Sequence, residues 1–251
     1  MPQFSDDLFL GIAVGGGSYS SSGDPSPMTQ GVGPLGRVYM LDMVPVASHA
    51  TVNQNEICPV QNLPLGAMTV TAGTGTTAGV APDGTGTAVV VLPEPRNIAI
   101  YSAADLSTKT ITVSGYDQYG QAMSEIITCP NATTVFGKKA FKSVKSCVSS
   151  GAIASNVYVG IGTSVGLPFR VTDMGYVGPI SYNQAIVTWN STNIIVADVT
   201  SPATTSTGDV RGTILTGATD GAKRLVVQLY LPALASGPNA TRIGAFGVTQ
   251  V

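Results

Sequence analysis

The sequence predicts an all-β protein: an antiparallel β-sandwich, Ig-like or jelly-roll-like, that carries an extended N-terminal arm. Three observations predict this fold class. Apolar and polar residues alternate with a period of two in many short runs. Turn residues separate these runs at intervals of about 8 to 12 residues, as in sandwiches and barrels. No segment keeps the 3.6-residue period of a helix over a dozen residues.

Composition indicates a protein that is covered by neighbours. The chain has 251 residues, 43% of them apolar, so it can build a core. Only 10% are charged, against about 25% in an ordinary soluble domain. Because interface centres are depleted in charge, such a surface suits contacts with other proteins. The net charge of -2 and the dispersed 12 Lys and Arg residues give no basic surface for nucleic acid.

Residues 1–36 are predicted to form the arm. A small apolar cluster comes first, and a stretch rich in Gly, Ser and Pro follows it. Such a stretch cannot fold alone, so it is either a disordered tail or an extended segment that becomes ordered on a neighbouring subunit. The candidate assembly interface consists of Phe4, Leu8, Phe9, Leu10, Ile12 and Tyr19.

The N-terminus also bears on where the protein is made. Met1 to Asp7 is polar and acidic, unlike a signal peptide, and no apolar run approaches the roughly 18 residues of a membrane span. We therefore expect synthesis in a cytoplasm without export and no association with a membrane. In that setting Cys58, Cys129 and Cys147 are expected to be buried free thiols.

Residues 37–170 are predicted to form the core β-sandwich domain. The first strand covers 37–46, and a loop-like stretch follows over 49–64. A buried strand over 88–92 is expected to end at Pro93 and Pro95. Five more strands are predicted, over 97–101, 109–114, 123–129, 140–149 and 156–161.

The second and third of these five strands form the clearest hairpin. Thr110, Thr112 and Ser114 alternate with apolar residues, and the turn 116–121 leads into the returning strand. The strand over 140–149 has apolar residues that would also suit a helix. Its Val, Ser and Cys content favours a strand.

Residues 171–251 are predicted to form a C-terminal β region, either in the same domain or as a second small β domain. A strand is predicted over 224–231, where Leu225, Val227, Leu229 and Leu231 alternate with Val226, Gln228 and Tyr230 in a half-buried pattern. The other strands expected here lie over 186–190, 193–199, 211–215 and 245–251.

Motifs for catalysis, cofactors or metals are weak throughout. The pattern G-x-G-x-x-G over 31–36 lacks the preceding strand and following helix that a dinucleotide site needs. The single histidine, His49, has no nucleophile motif or paired metal ligand near it. We expect a non-enzymatic protein without cofactor or metal. The aspartates are expected to be ordinary turn residues: Asp83, Asp117, Asp173, Asp209 and Asp220.

The aromatic residues leave one alternative open. A sugar-binding surface could be built from Trp189 and tyrosines, although packing in cores and interfaces is the commoner role. The tyrosines concerned are Tyr101, Tyr116, Tyr119, Tyr158, Tyr176, Tyr182 and Tyr230.

Residues 102–162 resemble a family of virion structural proteins from tailed bacteriophages. The shared order is T-x-T-V-x-G-x-D from Thr110, G-x-x-x-x-E-x-I-T from Gly120, G-x-K-x-F-K-x-V from Gly137 and N-x-x-V-G from Asn156. The stretch 209–213 and the strand that begins at Arg224 are similar to the closing part of such proteins.

The resemblance implies a capsid decoration, or cement, protein on the surface of the virion. Such a protein would bind the major capsid protein, bridge its subunits and assemble with itself as a dimer or trimer. The alternative is a head-fibre, tail or adhesin-type module that binds host surface glycans.

Overall fold

The computed structural model describes residues 35–48, 55–187, 193–198, 200 and 202–232, and in this part of the chain the protein is almost entirely β. A short 3-10 helix, Met174–Tyr176, interrupts the strands, and no α-helix occurs among the described residues. The antiparallel sheets curl into a half-barrel, so the predicted all-β antiparallel fold class is confirmed. The arm predicted over 1–36 lies, up to residue 34, outside the described residues.

Fifteen strands are described, and most match the predicted runs. In chain order they are β1 Leu35–Met43, β2 Cys58–Leu63, β3 Gly66–Ala67, β4 Thr77–Val80, β5 Ala88–Tyr101, β6 Thr110–Tyr116, β7 Ala122–Thr128, β8 Thr134–Phe136, β9 Phe141–Ser149, β10 Ile153–Gly166, β11 Val177–Tyr182, β12 Ala185–Val187, β13 Ile194–Val196, β14 Gly212–Leu215 and β15 Leu225–Pro232.

The strands form two sheets. The smaller sheet has four strands in the order β1-β15-β11-β12. The larger sheet has eleven strands, with the path β13-β14-β10-β5-β9-β6-β7 and with β2, β3, β4 and β8 attached to its sides. Every strand pair in both sheets is antiparallel.

The predicted hairpin is confirmed in detail. Strands β6 and β7 pair without interruption from Thr110 opposite Thr128 to Tyr116 opposite Ala122. The turn closes with a hydrogen bond from Gly120 N to Asp117 O, and Gly120 has a φ of 78°. Glycine accepts this left-handed conformation without steric cost. The segment 140–149, which could have been a helix, forms β9 as expected.

Two local predictions are wrong. Pro93 and Pro95 do not end their strand, because β5 continues through both of them to Tyr101. The β5–β9 register shifts between Val91 and Arg96, so both prolines occupy a stretch with no cross-strand partner, where a missing N–H is tolerated. The stretch 49–64 is also more than a loop, since it contains β2, which pairs with β10.

Buried side chains form two main cores. The larger one lies against the eleven-stranded sheet and includes Ile98, Ile111 and Phe141. The second joins the small sheet to β10 and β14, and Leu41 of β1 shares it with Val227. Thus the first strand packs with the C-terminal strands, while the division at residue 170 stays a prediction.

All three cysteines are buried and free, as expected.

Candidate interaction surface

The residues predicted to mediate assembly are outside the part of the chain that the structure describes. This applies to all six arm residues: Phe4, Leu8, Phe9, Leu10, Ile12 and Tyr19. His49 and Trp189 also fall outside it. The candidate surface must therefore be built from residues on the described strands and turns.

Three aromatic side chains form a cluster that we call the aromatic patch: Tyr39, Phe169 and Tyr119. Tyr39 lies on β1, Phe169 follows β10, and Tyr119 lies in the β6–β7 turn. The rings of Tyr39 and Phe169 meet edge to face with 4.8 Å between their centroids. Tyr39 keeps 38% of its surface exposed and Tyr119 keeps 43%. The patch therefore presents aromatic surface to solvent from both sheets.

Tyr119 is held in place from two directions. Its hydroxyl donates a hydrogen bond of 2.6 Å to the carbonyl oxygen of Pro168. The guanidinium of Arg211 lies 4.7 Å from the ring centroid, within the range of a cation–π interaction. Since the hydroxyl is already satisfied inside the molecule, a partner could cover Tyr119 without leaving that donor unpaired.

A buried ion pair lies beneath the patch. Arg211 Nη2 is 2.7 Å from Asp117 Oδ2, and the two side chains are 3% and 1% exposed. The other carboxylate oxygen of Asp117 accepts hydrogen bonds from the backbone N–H groups of Tyr119 and Gln121. Asp117 therefore fixes the conformation of the turn that carries Tyr119 and also anchors Arg211 under its ring.

Asp209 organises the segment that supplies Arg211. Its Oδ1 accepts from the N–H groups of Arg211 and Gly212, and its Oδ2 accepts from Ala140 N at 2.9 Å. Burial raises the pKa of Asp209 above its ordinary value, while these three N–H donors oppose the rise. The carboxyl thus joins the 209–213 segment to the chain that enters β9.

Lys139 and Glu125 make a neighbouring buried cluster. The Lys139 ammonium donates to the carbonyl oxygen of Thr204 at 2.8 Å. Glu125 accepts from the backbone N–H groups of Lys138 and Lys139. Burial raises the pKa of Glu125 and lowers the pKa of Lys139, since it disfavours the charged form of each. The cluster attaches the loop after β13 to the β7–β9 region.

A third polar cluster joins the two sheets around Arg96, which is fully buried. Its guanidinium donates to Glu94 at 3.1 Å, to Thr219 at 3.1 Å and to the carbonyl oxygen of Gly162. Glu94 accepts in turn from the N–H of Val46, just after β1. Burial lowers the pKa of Arg96, and the Glu94 carboxylate opposes this effect. These bonds attach the end of β1 to β5 and β10.

Sequence reasoning missed the role of two aspartates. Asp83, Asp173 and Asp220 are turn residues as predicted, and each accepts a hydrogen bond from the N–H two residues later. Asp117 and Asp209 also bond to nearby N–H groups, but both are buried and both stabilise distant contacts. No feature of the local sequence distinguishes Asp117 and Asp209 from the three exposed turn aspartates, because burial of an aspartate depends on which strands fold over its turn.

Apolar residues are exposed at two further places. Ile126 of β7 and Val148 of β9 flank Thr112 on the outer face of the large sheet and are 46% and 41% exposed. On and just after β1, Met40 is 50% exposed and Val44 is 49% exposed.

Of the predicted sugar-binding tyrosines, Tyr101 and Tyr158 form a tilted pair with a centroid distance of 5.5 Å.

Nowhere in the described residues do three or more His, Cys, Asp or Glu side chains come together in a way that could hold a metal ion. The described stretches contain no helix of the length and apolar character needed to cross a membrane.

Comparison of the chain with family models, curated proteins and solved structures finds no match.

Proposed function

We propose that this protein is a non-enzymatic structural component of a bacteriophage virion, a cement protein that binds the outside of the capsid and bridges major capsid subunits. The aromatic patch is the observation that carries the proposal. Tyrosine and arginine are enriched where protein interfaces bind most strongly, and charged residues are depleted there. The patch has this composition, because its three residues are aromatic and the arginine beneath it, Arg211, is buried and paired.

Rigidity of the patch supports the same role. Tyr119 is fixed by Pro168 and Arg211, and Tyr39 packs on Phe169. A side chain that is already ordered loses little conformational entropy when a partner covers it. The three buried polar clusters hold the strands and loops behind the patch in fixed positions. This suits a protein that must keep its shape while the capsid is under internal pressure.

The N-terminal arm supplies the second contact in this proposal. An extended segment can add to the edge of a neighbour's sheet, where its backbone forms hydrogen bonds and its apolar side chains enter pockets. Residues 1–36, with Phe9 and Leu10, would make this contact with another copy or with the capsid. The protein would act at the capsid surface after synthesis in the bacterial cytoplasm.

Binding to capsid shells tests the proposal. Purified protein is mixed with expanded empty shells of the phage that encodes it and is then sedimented. We expect saturable binding, which the double variant Tyr39→Ala/Tyr119→Ala weakens by about 30-fold or more, the size of an interface hot spot. The matched control is Ile186→Ala, which removes an exposed apolar side chain from β12. Absence of binding by the wild-type protein would contradict the proposal.

A glycan-binding module is the second candidate, and the exposed rings of Tyr39 and Tyr119 favour it. Aromatic faces can stack on sugars, so a host-binding fibre or adhesin could use the same patch. A glycan array distinguishes the two functions. A cement protein should give no sugar-dependent signal, whereas an adhesin should give one that Tyr119→Ala abolishes.

A further inference from the structure

Strand β1 leaves one of its edges open among the described residues. It is nine residues long and pairs with β15 from Leu35 to Met43, as the end strand of the small sheet. No other described strand pairs with it. Antiparallel strands direct half of their backbone N–H and C=O groups away from a single partner. A row of such groups is a template for pairing with another chain.

The other terminal strands differ from β1. Strand β7 ends the large sheet, but its Ile126 N–H donates to the carbonyl oxygen of Thr205, so a loop covers part of its edge. Strands β12 and β13 are only three residues long. Between Leu35 and Met43 the edge of β1 has no lysine or proline, and its protective features are a register shift next to Leu35 and the charged Asp42, which is paired with Arg224. Among the sheet-terminal strands described, β1 is therefore the longest open edge.

Apolar side chains flank this edge on both faces of the sheet. Tyr39, 38% exposed, lies on one face and belongs to the aromatic patch. Met40, 50% exposed, lies on the other face. A strand that added here would gain backbone hydrogen bonds and would also cover apolar surface on both faces.

We infer that β1 pairs antiparallel with β1 of a second copy of this chain, across a two-fold axis. The inference deepens the proposed function, since it names the self-assembly interface, and it rests on that function for its biological setting. A strand is always self-complementary in this arrangement, because a two-fold axis perpendicular to the sheet turns a strand into its own antiparallel neighbour. The two small sheets would then form one continuous eight-stranded sheet.

The side chains select a register. Residues that face each other across an antiparallel pair point to the same side of the sheet, so the axis must pass through a residue position. Centring the axis on Tyr39 places two partly exposed aromatic rings against each other, whereas centring it on Met40 pairs two methionines. Aromatic cross-strand pairs stabilise antiparallel sheets, so the Tyr39 register is favoured.

The position of the arm supports a second copy as the occupant of this edge. The 34 residues before Leu35 enter directly at the start of β1. In the Tyr39 register, the start of each β1 lies beside the end of the partner strand, close to the exposed Val44. Fully extended, 34 residues reach about 110 Å. The arm of each copy would begin on the other copy, where an apolar surface is available.

Oligomeric state of the full chain tests the inference. Analytical ultracentrifugation should give a dimer for the wild-type protein. The double variant Tyr39→Lys/Met40→Lys places two lysines face to face at position 39 and adds a charge on the other face of the seam, so we expect dimer affinity to fall at least about tenfold. The matched control Ile186→Lys changes an exposed residue on the opposite edge strand and should remain dimeric. Circular dichroism and thermal unfolding establish that all three proteins are folded.

Cross-linking tests the register independently. In the Tyr39→Cys variant, mild oxidation should give a disulfide-linked dimer, whereas Ile186→Cys should not. A wild-type monomer in which the β1 amides resist hydrogen exchange would overturn the inference, because the chain would then cover this edge itself. A dimer that survives the double lysine substitution would overturn it as well. A β1-dependent dimer that fails to bind capsids would contradict only the proposed function, and a monomer that binds capsids would contradict only this inference.

Discussion

Arg211 and Asp117 are 94 positions apart in the sequence and form a buried ion pair with 2.7 Å between Nη2 and Oδ2. Asp117 begins the turn between β6 and β7, and Arg211 directly precedes β14. The pair therefore joins the hairpin at one end of the large sheet to a segment near its other end. It also supports Tyr119, because Arg211 lies against the ring of that residue.

Removing the cation of this pair should be strongly destabilising. Arg211→Leu leaves the Asp117 carboxylate buried without its charged partner, and loss of one member of a buried pair costs about 3 to 5 kcal/mol. Urea denaturation at neutral pH measures the effect as a fall in the free energy of unfolding. The matched control is Arg224→Leu, which breaks the exposed pair with Asp42 and should change stability little. Equal effects of the two substitutions would contradict the structural role of Arg211.

Glu125 should make stability fall as the pH rises. Burial raises the pKa of this carboxyl above its ordinary value. The folded protein then binds the Glu125 proton more tightly than the unfolded chain does. The contribution of this proton to the free energy of unfolding is therefore fully present below the ordinary carboxyl pKa of about 4.3, and it is lost as the pH rises through the pKa of Glu125 in the folded protein. We expect the wild-type protein to lose stability relative to Glu125→Gln as the pH rises above the ordinary carboxyl pKa of about 4.3. Urea denaturation of both proteins at increasing pH measures the difference, and identical pH profiles would contradict it.

Lys139 should control the mobility of the loop over 202–208. Its ammonium donates to Thr204 O, and nearby carboxylates such as Glu125 and Asp209 oppose the effect of burial on its pKa. Lys139→Met removes this anchor and leaves buried negative charge without compensation. Hydrogen exchange should become faster in this loop first, while β6 stays protected. The control is Lys145→Met, since Lys145 makes a half-exposed pair with Asp83 and should leave the loop unchanged.

Gly115 should not tolerate a side chain. A Cβ at this position would lie 2.0 Å from the carbonyl oxygen of Ser143, an atom of the neighbouring strand β9. Because that atom is backbone, relief requires the strands to separate, and we expect Gly115→Ala to destabilise the protein by about 3 kcal/mol. At Gly79 the atom nearest to an added Cβ is in the Val91 side chain, which can move. Gly79→Ala should therefore lower the melting temperature less than Gly115→Ala does. A larger fall for Gly79→Ala would contradict the packing described at Gly115.

Strand positions were predictable where the pattern was local. The alternation over 110–128 and over 225–229 predicted β6, β7 and β15, because one face of each strand packs on a core. The continuity of β5 was not predictable from its two prolines. Proline ends a strand when a ladder bond is needed at its nitrogen, and whether one is needed at 93 and 95 depends on the register of β9.

The aromatic patch was only partly predictable. Tyr119 was among the tyrosines proposed for surface binding, but Tyr39 and Phe169 carried no signal that would bring them to its side. These residues meet because β1 joins β15 in the small sheet, close to the segment that follows β10. Contacts of this kind depend on strand order, which the spacing of residues along a chain does not specify.

Local patterns in the sequence are enough to predict the all-β class and the main hairpin, which follow from residue type and a period of two. Contacts between distant segments make Asp117 more than a turn residue and place β1 with the C-terminal strands. Burial of Asp117 depends on Arg211, and the place of β1 depends on its register with β15. Both are long-range pairings, and their free energy arises only after distant segments have met.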